Sequence, residues 1–309
     1  TEERRPLVLV DTHIHLCWED LANPWADGEL RAGALHARPR AEWTEARWLA
    51  AVGASAACVK GHCLDVKAAV FVQCFNEPSI DEARHALRMA SDPASKIGGV
   101  VAAIPVPEGA AAVDAFLAGI TVDGALPAAL KGGRVPLLGD PLPAPDACRQ
   151  ASYLEGLRAL VKTGLHWEFV CHWAALPHIK EVCASMPHAT FVLDHIGRNC
   201  GAPDDFEAWA EAITALARCC PNVVAKLGAI EEWGCGERGP GPYLDLALRE
   251  FGLDRVLYES NWFVQEALGL DYGSTVTAVW EALQRYGASE EQVASVFAGN
   301  ARRVYRLGG

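Results

Sequence analysis

Short apolar runs alternate with helical stretches along the whole chain. The runs are LVLVDTHIH (7–15), AVFVQCF (69–75), IGGVVAAIPV (97–106), ALKGGRVPLL (129–138), WEFVCHW (167–173), TFVLDHIG (190–197), NVVAKLGAI (222–230) and RVLYESNW (255–262). Most are rich in Val, Leu and Phe and lack strict polar–apolar alternation. That is the pattern of parallel strands covered on both faces. Between them, SIDEARHALRMAS (79–91) opens with Ser79 and, three residues on, Glu82, which predicts a capping box. ASYLEGLRALVKTG (151–164) stops at a glycine, a C-terminal helix signal. DDFEAWAEAITALARCC (204–220) is acidic at its start and carries an arginine in its last turn, as the helix dipole favours.

Eight strand–helix units in one chain of 309 residues predict an α/β protein with a single domain over 1–309, a (β/α)8 TIM barrel. A doubly wound open sheet is the competing plan, but no Gly-rich phosphate fingerprint follows the first strand. Three long irregular segments fall after strands, where a barrel gathers its loops at the C-terminal face: 16–43, 137–148 and 231–242. The first carries Trp18, Trp25 and Trp43 and is expected to be a lid insertion.

Composition narrows the picture only slightly. A chain with 51% hydrophobic and 21% charged residues has the material for a sizeable core. The net charge of −12 argues against a nucleic-acid partner, which needs a basic footprint. The eleven cysteines form no CxxC pair, so reduced, mostly buried thiols are expected. With no membrane-length apolar stretch and no signal-peptide core at the start, the expectation is a cytoplasmic or organelle-matrix protein.

Chemistry gathers at the strand ends. The first strand ends in His13 and His15, which share a face if alternation holds, with Asp11 below them. Two such imidazoles can share one metal ion or polarise a carbonyl. The fourth strand carries Lys131 and Arg134, the fifth His172, the sixth Asp194 and His195. The seventh contains Lys226, and the eighth Glu259, Ser260 and Asn261. Polar and titratable groups at one end of many strands are the mark of a barrel active site. His36, His62, His85, His166, His178 and His188 read as structural or surface residues.

The segments VDTHIHL, FVLDHIGR, NVVAKLGAI, PYLDLALREFGLDRVLYESNW and VFAGNARRVYRL lie in order between Val10 and Leu307. Together they resemble the amidohydrolase superfamily, specifically the amidohydrolase-2 (amidohydrolase-related) family and its lactonase and 2-pyrone-4,6-dicarboxylate hydrolase-like branch. The resemblance implies a distorted (β/α)8 barrel that hydrolyses esters, lactones or amides with water as nucleophile. It assigns the first-strand histidines to His13 and His15, the sixth-strand histidine to His195, and a carboxylate-holding arginine to Arg134. The family's eighth-strand aspartate falls on Asn261. An amide is neither basic at neutral pH nor a good metal ligand.

The expected catalytic set is therefore His13, His15, His195 and Asn261, with Glu259 as a substitute base. Arg134, His172 and Lys226 are expected to bind substrate. His13 and His15 are the candidate metal ligands, for one divalent ion, zinc or manganese, or none. The expected activity is hydrolysis of a small cyclic ester or related carboxylate-bearing compound. The alternatives are a metal-dependent decarboxylase on the same barrel ends, and a catalytically impaired paralogue that binds a small molecule. The expected partner is a small-molecule substrate, with no membrane partner and the oligomeric state open.

Overall fold

The structure, a computed structural model, describes residues 6–29, 39–55, 59, 61–138, 143–198, 205–232 and 235–308. Eight parallel strands form one sheet in the order of the sequence: β1 (Leu7–Ile14), β2 (Leu64–Val72), β3 (Ile97–Ala102), β4 (Leu130–Arg134), β5 (His166–Phe169), β6 (Phe191–Leu193), β7 (Val223–Leu227) and β8 (Val256–Tyr258). The helices α1 (Glu45–Ser55), α2 (Ser79–Ser91), α3 (Ala110–Ile120), α4 (Ala151–Lys162), α5 (Leu176–Ser185), α6 (Phe206–Cys219) and α7 (Gly241–Phe251) each follow one strand. After β8 come α8 (Val264–Ala267), α9 (Tyr272–Tyr286), α10 (Glu290–Ala294) and α11 (Asn300–Val304). This is the single-domain TIM barrel that the pattern predicts, and no helix of the described residues is long and apolar enough to cross a membrane.

The barrel closes unevenly. β1 and β8 meet near their C-terminal ends, through the Ile14–Trp262 bridge, His15 N–H to Trp262 O at 2.6 Å and Asn261 N–H to His13 O at 3.0 Å. Thr12 Oγ1 adds a bond to Tyr258 O at 2.6 Å. Two apolar clusters divide the interior. The larger packs outward-facing strand residues such as Leu9, Phe71 and Phe169 against the helices. The smaller joins Val10, Val70, Val72, Val101, Val224 and Leu257 to Ala301 and Tyr305, so α11 and the residue after it plug the lumen from the N-terminal side.

Two local expectations are corrected. The Ser79–Glu82 capping box does not form, and Pro78 stands at the N-cap without a side-chain bond. Glu82 is recruited elsewhere: its Oε1 accepts from Cys74 N, Asn76 N and Asn76 Nδ2 at 2.9, 3.0 and 2.8 Å. A buried carboxylate thereby satisfies backbone donors that the end of β2 leaves open. By contrast, α4 ends where expected, with Gly164 at φ 81° just beyond it. Of the 16–43 segment expected as a lid, 30–38 lie outside the described residues. Within its described part, Trp18 packs on Phe71 and Trp43 is buried against Phe263.

Candidate active site

β1 is not a regular strand where it matters. Its register with β2 shifts between Asp11 and Ile14. An irregularity of this kind breaks the two-residue alternation. Val10 packs into the lumen, whereas Asp11 turns outward, bonding Tyr272 OH at 2.8 Å and Ser260 N at 3.0 Å. Asp11 is therefore not beneath the histidines, contrary to the alternation argument. Burial raises its carboxyl to about 6. His13 and His15 do face one another, with their Nε2 atoms 3.3 Å apart and both side chains almost fully buried.

Their tautomers follow from their partners. His15 Nδ1 lies 2.8 Å from Val72 O, an atom that only accepts, so Nδ1 carries the proton and Nε2 a lone pair. His13 has a donor at each nitrogen, Arg134 Nη1 at 3.1 Å from Nε2 and Lys226 Nζ at 3.3 Å from Nδ1, but only Nδ1 also has a carboxylate oxygen beside it, Glu259 Oε2 at 3.0 Å, so the lone pair is assigned to Nε2. His13 Nδ1 then points to Glu259 Oε2, 3.0 Å away. Burial, then the charge of Lys226, lowers the pKa of His13 against the opposing pull of Asp194 and Glu259. Burial, His13 and Arg134 hold His15 well below its ordinary range.

Glu259 joins two strand ends. Its Oε1 accepts from His195 N at 2.9 Å and His195 Nδ1 at 2.8 Å. Burial alone would raise its pKa, but His195 and His13 outweigh that and hold it at about 2. An ionised carboxylate on Nδ1 orients the ring and leaves Nε2 as the working atom. The His195 backbone makes this possible by adopting φ 54°, a left-handed conformation immediately after β6.

Below this layer lies a charged one. Lys226 Nζ sits 2.6 Å from Glu168 Oε2 and 2.9 Å from Asp194 Oδ1, all three side chains fully buried. Glu168 also accepts from Tyr305 OH at 2.6 Å and His166 Nε2 at 3.0 Å. Arg134 Nη1 bonds Asp194 Oδ2 at 3.1 Å and Nη2 bonds Gln73 O at 2.7 Å. Burial opposes each charge. Even so, Lys226, then His13 and Arg134, hold Asp194 well below the carboxylate range, and Asp194 and Glu168 raise Lys226.

The structure thus brings His13, His15, His195, Arg134 and Lys226 together. Lys226 is wholly enclosed, at 3.3 Å from His13 Nδ1. Asn261 sits at the rim with φ 61°, and its amide donates to Glu231 Oε1 at 3.0 Å. His172 stands apart. Its Nδ1 accepts from Ala174 N at 3.2 Å, and it lines a separate cavity of about 240 Å³ with Leu137, Pro143 and Pro145. Sequence reasoning missed Glu168, although it lies two residues from His166 on β5 and a buried lysine must have a counter-ion. It also missed that Glu259 would reach two histidines at once.

Among the described residues, two groups of side chains have metal-ligand spacing, His13–His195–Glu259 and His13–Glu168–Asp194. The second already holds a cation, because Lys226 Nζ lies among its atoms. In the first, Glu259 Oε1 is taken by His195 Nδ1 and its Oε2 lies 3.0 Å from His13 Nδ1. The donor set that fits an ion is instead the pair of Nε2 lone pairs. Their 3.3 Å separation is what two nitrogens each ~2.0–2.1 Å from a tetrahedral ion require. Arg134 shares the His13 lone pair and would have to yield it, keeping Asp194 and Gln73 as partners.

A sequence model of the family described as Amidohydrolase, Amidohydro_2, matches residues 10–307. An uncharacterized protein, y4mH, of Sinorhizobium fredii (strain NBRC 101917 / NGR234) is 26% identical over 167 residues, 53% of this chain and 54% of that protein. The chain thus spans about half the length of the curated relative it matches. The crystal structure of an amidohydrolase from Burkholderia multivorans with bound zinc has a TM-score of 0.75 at 24% identity, covering 97% of this chain and 100% of that one. A probable 2-pyrone-4,6-dicarboxylic acid hydrolase from Acinetobacter baumannii with citric acid bound has a TM-score of 0.66 at 14% identity, covering 97% and 99%. At these identities the solved structures speak for a shared fold.

Proposed function

The chain belongs to the Amidohydro_2 family of amidohydrolases, and from that premise we propose that it hydrolyses a small cyclic ester or related carboxylate-bearing compound, with water as nucleophile. The observation that carries this reading is the Glu259 carboxylate on His195 Nδ1, 2.8 Å away, beside the Nε2 pair of His13 and His15. A carboxylate–imidazole pair is a competent general base, because the carboxylate stabilises the imidazolium that forms. His195 Nε2 takes the proton of the attacking water and returns it to the leaving alkoxide. Arg134 holds the substrate carboxylate or the developing oxyanion. The buried layer of Lys226, Asp194 and Glu168 fixes the field beneath His13 and does not touch substrate.

The lumen sets the carboxyl groups of Glu168, Asp194 and Glu259 against the side chains of Arg134 and Lys226. A divalent ion held by His13 and His15 would supply Lewis acidity to the scissile carbonyl. The Burkholderia relative with bound zinc supports that role, and we place at most one ion per chain because Lys226 fills the second group. A pH-stat assay over a panel of γ- and δ-lactones, with and without a ring carboxylate, tests the reading. Proton release above the uncatalysed rate on at least one lactone is the expected result. None on any of them, with or without added zinc or manganese, would sink it.

A further inference from the structure

The histidines are buried, but one aromatic wall runs from them to solvent. The Trp25 ring lies 6.2 Å from His15, 5.5 Å from Phe75 and 6.0 Å from Phe263. Behind it, Phe263 and Trp43 are buried and stacked at 4.7 Å, a firm backing. Phe75 is unlike the others: it is 40% exposed and adopts φ 64°. A bulky side chain rarely takes that left-handed conformation, and strain of this kind gathers at ligand clamps. An exposed ring on strained backbone contributes little to the fold.

The conformation is nevertheless built with care. Phe75 N donates to Gln73 Oε1 at 3.2 Å, and the N–H groups on either side both go to Glu82. Gln73 gives its carbonyl to Arg134, and the preceding carbonyl, of Val72, orients His15. The loop that presents Phe75 is thus anchored on the same groups that orient the polar site.

We propose that Trp25 and Phe75 form a stacking subsite, and that the substrate is an ester whose flat apolar ring lies on these two rings while its carbonyl reaches His15. The proposal rests on the hydrolase reading above. A polyhydroxylated ring fits worse, because the amides of Asn23 and Asn76 beside the wall are already committed, and Gln73 Nε2, which has no partner among the described residues, is buried. Asn23 Nδ2 bonds Cys74 O at 2.8 Å and its Oδ1 accepts from Ala26 N at 2.8 Å. Asn76 Nδ2 bonds Leu16 O at 3.0 Å and Glu82 at 2.8 Å. Offset or edge-on ring contacts supply the attraction.

Dihydrocoumarin and δ-valerolactone share one six-membered lactone and differ by a fused benzene ring. In each, the water oxygen bonds the acyl carbon as the acyl–oxygen bond breaks. One water hydrogen ends on the phenol or alcohol, and the other leaves as the proton of the new carboxylic acid. The ratio of kcat/KM for the two, compared between wild type and variants, cancels their intrinsic reactivities. Trp25→Leu and Phe75→Gly should each lower that ratio ~5- to 10-fold, the scale of one ring contact. Phe75→Tyr should preserve it. Phe75→Gly also relieves the positive φ, so its Tm should equal or exceed that of wild type. An unchanged ratio in both Trp25→Leu and Phe75→Gly overturns the subsite. So does a lowered Tm with an unchanged ratio, which makes Phe75 a packing residue.

If wild type turns over neither lactone, it is the hydrolase reading that suffers. Calorimetric binding of 3-(2-hydroxyphenyl)propanoate against 5-hydroxypentanoate then decides the subsite. A preference for the aryl acid that both variants lose supports it, and equal binding by wild type overturns it.

Discussion

Low in the lumen, His166 gives its Nε2 hydrogen to Glu168 at 3.0 Å, and Tyr305 and Lys226 complete the same carboxylate at 2.6 Å each. Higher up, His13 and His15 turn their Nε2 lone pairs toward one another at 3.3 Å, and Glu259 supports the rings of His13 and His195 from behind. Both layers hold histidine, carboxylate and a buried cation. In the lower layer every charge is met by a partner of opposite sign, so the group is closed and serves as scaffold. In the upper layer the carboxylate takes the Nδ1 edges and leaves basic atoms facing inward. The residue types do not separate the two layers. What separates them is which edge of each imidazole the carboxylate occupies.

The strongest way to break this contrast is at Lys226. Lys226→Met leaves Glu168 and Asp194 buried without their shared cation, and should cost about 3–5 kcal/mol of unfolding free energy. Lys226→Met with Glu168→Gln should cost less than the single change, since it removes both signs together. Urea denaturation measures both. A single variant within 1 kcal/mol of wild type, on the order of ordinary surface substitutions, would mean that the lower layer is not held by charge.

His195→Ala addresses the upper layer. It should reduce turnover at least ~100-fold, the usual scale for loss of a general base, with a far smaller loss of stability than Lys226→Met. Steady-state kinetics beside a denaturation curve separates the two effects. Near-normal turnover would remove His195 from the chemistry.

A smaller effect sharpens the metal question. Asn261 Nδ2 donates to Glu231, so Asn261→Asp sets two carboxylates about 3 Å apart at the rim. Such a pair demands a cation. The variant should bind zinc ~10-fold more tightly, the effect of one added anionic ligand, while Asn261→Ala should slow turnover less than His195→Ala. Calorimetric zinc titration checks the first and initial rates the second. Equal or weaker zinc binding by Asn261→Asp would show that residue 261 lies away from the ion.

Much of this protein is written locally. The eight apolar runs and their helices identify the barrel because parallel strands buried on both faces have a recognisable composition. The polar residues at their ends converge because such a barrel points every strand the same way, and this brought His13, His15, His195 and Arg134 together as expected. The failures lie where local periodicity stops. A register shift in β1 turned Asp11 out toward Tyr272, and left-handed backbone at His195 and Asn261 aimed side chains that alternation cannot place. Glu82 left its expected capping box for a loop that carries Phe75. His172 became a local cap, its Nδ1 accepting from Ala174 N. Lys226 could be named as a strand residue, but its partners come from β5 and from the residue after β6. Only closure of the barrel sets those charges within ion-pair distance in a low-dielectric interior, and a buried charge takes its meaning from the partner that closure supplies.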